Sequence, residues 1–186
     1  MKYLYVIILS FVASSITFCQ GSMIVKKSQL KNPFETLKYT CVIAYNFALE
    51  GSHEKNSSAV TEDKKLNRTT VLPGKNLTKE ETNSLISTLV DTNTYGGSYA
   101  ACFEPRLAFV FYNNDSIVDC IDVCFECNTQ RSTINIPAKN YYNEQDGELM
   151  YLRYGFSKAG RKRLIALCKK LNMPYCVADG KSMFDK

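Results

Sequence analysis

Apolar and polar positions along the chain follow three different rhythms. Near the N-terminus, Tyr3 to Phe18 ("YLYVIILSFVASSITF") is an apolar run broken only by small polar residues. Tyr39 to Gly51 ("YTCVIAYNFALEG") is rich in β-branched and aromatic residues and predicts a strand. It is apolar on both faces from Cys41 to Tyr45, which places it centrally in a sheet. The polar stretch from Gly51 to Thr70 has little periodicity and predicts a mostly exposed loop, with one short strand at Thr69 to Leu72. Leu85, Ile86, Leu89 and Val90 then recur at helical spacing. Thr78 precedes them as an N-cap with Glu81 three residues on, a capping box, so a helix runs from about Lys79 to Asp91. A second helix starts behind a Ser157 cap, buries Leu164, Ile165, Cys168 and Leu171, and ends at Asn172 and Pro174.

Between the helices lies a β-rich block, Tyr99 to Ile136. Its apolar runs Leu107 to Tyr112 and Ile117 to Phe125 flank the turn residues Asn113 to Ser116 and predict a β-hairpin. Tyr112 then faces Ile117. Continued without a break, the same register sets Arg106 opposite Val123 and Cys102 opposite Cys127. A tyrosine-rich stretch, Asn140 to Gly155, reads as a loop followed by a strand near Leu149 to Tyr154. The sum is an α+β domain: a mostly antiparallel sheet with a central β-hairpin, packed by two amphipathic helices.

The N-terminal run follows a single early cation, Lys2, and reads as a secretory signal peptide over residues 1–19. Thr17 and Cys19 suit cleavage before Gln20; lipidation of Cys19 is the second reading, against which bulky Phe18 stands. The protein is then expected outside the cytoplasm, periplasmic or secreted, with no transmembrane span after signal removal. Residues 20–186 form one expected domain, large enough to bury its own core. Its charge is +4 once Lys2 is gone, with the basic residues scattered. The one basic cluster, Lys158 to Arg163 ("KAGRKR"), reads as a solvated helix face, and nucleic acid is not an expected partner.

Cysteine usage carries the chemistry. Cys120, Cys124 and Cys127 fall in a C-x3-C-x2-C run, the spacing of radical-SAM cluster loops, but a strand would divide them between two faces. Three other readings stand. Cys102, Cys124 and Cys127 are three of the four ligands a closed zinc site needs, and the chain's one histidine, His53, lies in the polar loop. Cys124 and Cys127 have redox C-x-x-C spacing, yet the "NTQRST" that follows has no helical stripe. Export favours a structural disulfide, most simply Cys102–Cys127. Seven cysteines remain after Cys19, so at least one is unpaired within the chain, with Cys41 and Cys168 as the candidate buried thiols.

At "CVIAYNF", "ACFEPRLAFVFYNNDSIVDCIDVCFECN" and "FSKAGRKRLIALCKKL" the chain resembles a group of small exported bacterial proteins sharing C-[FY]-x-P-R, a short hairpin and CF-x-C. The matching positions are Cys102, Pro105, Arg106, Phe111, Tyr112, Cys124, Phe125 and Cys127. The resemblance implies export and marks a motif; it implies no activity.

Arg106 and Tyr112 are the candidate binding residues, with Glu104 an expected partner for Arg106. Asp119 and Asp122 interrupt the apolar run and read as edge-of-sheet solubilisers, with pairing to Arg106 the alternative. Tyr141, Tyr142, Tyr151 and Tyr154 suit a binding surface or a core. The chain contains no G-x-S-x-G elbow, phosphate loop or H-E-x-x-H. These readings add up to an exported, non-enzymatic domain that binds another protein or an envelope component without a cofactor. The alternative is a zinc- or thiol-dependent activity centred on Cys102, Cys124 and Cys127.

Overall fold

The computed structural model of the protein describes residues 30–47, 58–140, 155–173 and 184. The signal segment, the strand expected near Leu149 to Tyr154 and the four tyrosines just named lie outside the described residues. In chain order the elements are β1 (Cys41–Phe47), β2 (Thr70–Asn76), α1 (Lys79–Val90), β3 (Tyr95–Gly97), β4 (Leu107–Asn113), β5 (Ser116–Cys124), β6 (Thr129–Ser132), β7 (Gly155–Phe156) and α2 (Lys158–Lys170). Five strands make one sheet in the order β2-β1-β4-β5-β6, with every neighbouring pair antiparallel. A small second sheet pairs β3 with β7. The class is α+β. Among the described residues no helix is long and apolar enough to cross a membrane.

The local signals act where they were expected. Thr78 Oγ1 accepts the Glu81 backbone N–H and the Glu81 carboxylate accepts the Thr78 N–H, so both halves of the capping box are made. Ser157 Oγ accepts the Gly160 N–H at the start of α2 and itself donates to the Asn93 carbonyl. Gly160 is needed for close approach: a Cβ there would sit 2.4 Å from the Thr94 carbonyl oxygen. Pro73 and Gly74 fall in β2, an edge strand, where a missing ladder donor is tolerated.

The hairpin closes through a two-residue turn, Asn114-Asp115, between the paired Asn113 and Ser116; Asn114 takes the left-handed conformation at φ 52°. Its register then departs from the simple expectation. Tyr112 pairs with Ile117, but Phe111 pairs with Asp119, which leaves Val118 as a bulge. Beyond it every partner is displaced by one: Leu107, not Arg106, faces Val123. The ladder that was to carry Cys102 to Cys127 therefore does not continue, and β5 ends at Cys124 in a turn over 125–128.

Both faces of the sheet are covered. On one, Leu107, Phe109, Phe111, Ile121 and Val123 pack with Leu85 and Leu89 of α1 and with Leu164, Leu167 and Cys168 of α2. On the other, Tyr45, Ala108, Val110, Ile117 and Cys120 are covered by Ala59, Val60 and Leu66. Within the described part of the segment read as a mostly exposed loop, residues 58–70, this second layer adds a buried anchor that the reading lacked. Val60 bridges Leu66 as a small clip, and Ala59 is fully buried beneath it. Interior strands buried on both sides explain the nearly unbroken apolar run of β4.

Candidate functional site

Two places gather chemistry, a thiol corner and a cleft. The corner is built by the turn after β5. The Ala100 N–H donates to the Cys127 carbonyl at 3.0 Å, and Asn128, at φ 55°, donates through Nδ2 to the carbonyls of Ser98 and Phe156. From α2, Arg161 donates to the Phe125 carbonyl while its guanidinium lies 5.6 Å from the Phe125 ring centroid. These anchors bring Cys102 Sγ within 3.3 Å of Cys127 Sγ, although the uninterrupted register that predicted their opposition is broken. Cys127 N–H donates to Cys124 Sγ at 3.1 Å, and Phe103 packs on both Cys124 and Cys127.

The sulfurs here are free thiols, Cys102 exposed and Cys124 and Cys127 buried. The bond to Cys127, then burial, raises the Cys102 thiol above its ordinary range. Burial, then the contact with Cys124, pushes Cys127 up to about 11. Neither has the depressed pKa of an attacking thiolate. Cys120 belongs to the opposite apolar cluster with Tyr45 and Val110, so the C-x3-C-x2-C run is split. Among the described residues no group of three His, Cys, Asp or Glu side chains is arranged to hold a metal ion. Cys168 is disulfide-bonded, which corrects its reading as a free buried thiol; Cys41 is free and half-buried.

The two candidate binding residues are held apart. Arg106 is half-buried beside the corner, its Nε 4.0 Å from Glu126 Oε1; Glu126, rather than Glu104, Asp119 or Asp122, is its acidic neighbour. Tyr112 lies across the sheet, between Cys41 and Ile117 in the ladder, with its hydroxyl 3.1 Å from that of Tyr45. Burial and this contact push the Tyr112 phenol up.

Asp119 and Asp122 are not edge residues. β6 pairs with β5 from Ile121 to Cys124 and so covers Asp122, while Asp119 lies just before that ladder, yet the two side chains are only 3% and 5% exposed. Asp122 Oδ1 accepts the Ala59 N–H at 3.0 Å and pins the 58–66 clip to the sheet. Asp119 Oδ1 accepts from the Thr133 hydroxyl and from the Ile134 N–H. Burial raises the pKa of both carboxyls. Two acids in an otherwise apolar strand were the available signal; β6 ("TQRS") is too short and polar to announce that it covers Asp122.

Asp119 lines a cleft of about 520 Å³ between the start of β5, the 58–64 segment and Thr133-Ile134. Leu37, Val60, Ile117, Val118, Cys120 and Ile134 give it apolar walls; Ser58, Thr61, Glu62, Lys64, Asp119 and Thr133 supply polar groups. A few polar groups converging in apolar walls, at this volume, is the usual make-up of a small-ligand site. The Arg161 anchor and this cleft were both missed in the sequence. Arg161 falls in register with Leu164, Ile165 and Cys168 on the buried stripe, which marks it off from its solvated neighbours Lys158, Lys162 and Arg163. Comparison of the chain with protein-family models, with curated proteins and with solved structures finds no match.

Proposed function

We propose that the protein is an exported, non-enzymatic binding domain whose ligand is a component of the cell envelope. The observation that carries this is the cleft, apolar in its walls and of small-ligand size, on a sheet buried on both faces. Rigid strands on one side and a pinned clip on the other suit a preformed site. In this reading the Cys102–Cys127 pair is a staple that closes in the oxidising compartment, since both thiols are held protonated rather than activated. The apparent family motif, Cys102, Arg106, Cys124 and Cys127, then marks the corner that fixes the hairpin end.

The test is capture. Protein recovered from the exported fraction is subjected to native mass spectrometry before and after organic extraction, alongside Val60→Trp, which fills the cleft mouth. An extractable adduct present on the wild type and absent from the variant is expected. Wild-type protein that is adduct-free, and that takes up nothing from an envelope extract, would reject the reading.

A second reading has one observation in its favour: three sulfurs, Cys102, Cys124 and Cys127, share one corner. It assigns a thiol- or zinc-dependent activity to them. A zinc site would need a fourth donor and release of the Cys127 N–H from Cys124 Sγ. Cys124→Ser separates the two readings, because it ends a thiol or metal activity and leaves capture in the cleft unchanged.

A further inference from the structure

The three sulfurs of the thiol corner differ in reach. Cys102, on the irregular segment between β3 and β4, is exposed. Cys127 and Cys124 are 1% and 0% exposed, and Phe103 packs on both, with the Arg131 guanidinium 4.1 Å from its ring centroid. Cys127 is the middle member. Its Sγ lies 3.3 Å from that of Cys102, and its N–H donates to Cys124 Sγ at 3.1 Å. A disulfide would need the Cys102 and Cys127 sulfurs only about 1 Å closer. A reagent from solvent therefore reaches Cys102 first, and Cys127 faces whatever Cys102 then carries. Three sulfurs allow one disulfide and leave one thiol over.

We infer that the corner is a site of thiol–disulfide exchange with a small external disulfide, in which Cys102 takes the incoming sulfur, Cys127 resolves it and Cys124 stays a thiol. The inference rests on the staple reading above and names the oxidant class and the sulfur that receives it. In the first step Cys102 gives its proton to water and its Sγ attacks one sulfur of the external disulfide R–S–S–R. That S–S bond breaks, a mixed disulfide forms on Cys102, and one RS⁻ leaves. In the second step Cys127 gives up its proton and its Sγ attacks Cys102 Sγ. The mixed disulfide breaks, the Cys102–Cys127 bond forms, and the second RS⁻ leaves. Two protein thiols are oxidised, and one external disulfide is reduced to two thiols, which take up the two protons. The second step joins sulfurs already held in contact, so it outruns the first. The first is slow at neutral pH, because the Cys102 thiol is held above its ordinary range. This also favours a disulfide over a peroxide as oxidant: peroxide sensing needs a low-pKa thiol, whereas the attacking power of a thiolate toward a disulfide grows with its pKa. Glu104 is the charged side chain felt at Cys102, which favours a cationic disulfide over an anionic one.

A time course with cystamine, a small cationic disulfide, tests this on the exported protein after reduction and desalting. Acid-quenched samples are digested with trypsin and mapped by mass spectrometry; Arg106 lies between Cys102 and Cys127, so cleavage separates them. Wild type is expected to end with Cys102 bonded to Cys127 and Cys124 unmodified. Cys127→Ser should stop at the mixed disulfide on Cys102. Cys102→Ser should lose uptake at Cys127 and Cys124 over the same interval. Uptake at Cys127 or Cys124 in Cys102→Ser at the wild-type rate would overturn Cys102 as the entry. A Cys124–Cys127 bond as the wild-type end product would overturn the part given to Cys124. Wild type that closes Cys102–Cys127 under air oxidation but not with cystamine would overturn the exchange and leave the staple standing. Wild type that forms no Cys102–Cys127 bond with either oxidant would sink both. Should Cys127→Ser not fold, the wild-type end product together with Cys102→Ser decides.

Discussion

Arg161 of α2 donates a guanidinium N–H to the carbonyl of Phe125, the first residue after the Cys124 that ends β5. One helix is thereby tied to the turn that carries Cys127, and Arg161 is 2% exposed where it does so. The bond explains how a turn with no regular ladder of its own holds two sulfurs in contact.

Loss of this anchor has a defined cost. Arg161→Ala removes a buried hydrogen bond from a charged donor and the packing on the Phe125 ring, and is expected to destabilise by about 2–3 kcal/mol. Lys162→Ala, one residue along on the exposed face, should change stability by no more than about 0.5 kcal/mol. Urea unfolding midpoints of the two variants check this. Arg161→Ala should also speed alkylation of Cys127 in the reduced protein, and an unchanged rate would show that the turn holds without α2.

What the chain discloses about itself divides by range. The helices were legible because their determinants are local: a cap, a box and a stripe all lie within a few turns of one another. The Asn114-Asp115 turn was legible for the same reason. The Val118 bulge was not. It resolves a competition between two buried faces, sending Ile117 to one cluster and Ile121 and Val123 to the other, and no short window contains that competition. Cys102 and Cys127 were set opposite each other from a register that fails at the bulge; the turn and its anchors bring them into contact, as free thiols, by another route. Asp122 was misread because β6 pairs over it, and both carboxyls are met by residues far away in sequence, Ile134 for Asp119 and Ala59 for Asp122.

The α1 cap offers a local test. Thr78→Ala leaves the Glu81 N–H without its partner and should cost about 1 kcal/mol in thermal or urea unfolding. The Thr78 backbone N–H, bonded to the Glu81 carboxylate, holds the Glu81 pKa below its ordinary value. The stability this contributes is complete above the unfolded pKa, near 4.5, and is lost as pH falls through the folded one. Glu81→Gln should therefore flatten the acid limb of the stability profile. Lys170, 3.5 Å from Glu81 but largely exposed, should matter little when changed to Ala.

The thiol corner predicts different behaviour in its two redox states. Oxidation of Cys102 and Cys127 would close a loop between residues separated by 25 positions, for a stabilisation of about 3 kcal/mol. Cys102→Ser should remove this pair's share of the difference between oxidised and reduced unfolding midpoints and leave the share of the Cys168 disulfide, whereas Cys41→Ser should leave the whole difference intact. In the reduced protein the Cys127 pKa is raised from 9.0 to about 11, so the folded state holds its proton longer than the unfolded state does. Its contribution to stability is therefore full below pH 9 and is lost as pH rises toward 11. Alkylation rates of folded, reduced protein should climb across the same interval, and a plateau already reached at neutral pH would contradict the protonated corner.

Asp119 and Asp122 impose the opposite trend from Glu81 at low pH. Burial raises both pKa values above 3.8, so between the unfolded and the folded pKa the native state binds more protons than the unfolded chain. Stability from these two groups is therefore greatest near and below pH 3.8 and declines as pH rises through their raised folded values. Asp119→Asn, which keeps the shape but cannot ionise, is expected to raise stability at neutral pH relative to wild type and to remove part of that slope. Asp122→Asn should remove slope too. In both variants the gain is reduced where the amide takes the wrong orientation, which forfeits the Ala59 N–H at Asp122 and the Thr133 and Ile134 donors at Asp119. Unfolding free energies measured from pH 4 to pH 8 for the three proteins separate the cases. An Asp119→Asn variant less stable than wild type at every pH would mean that the Thr133 hydroxyl and the Ile134 N–H compensate the carboxylate in the native protein.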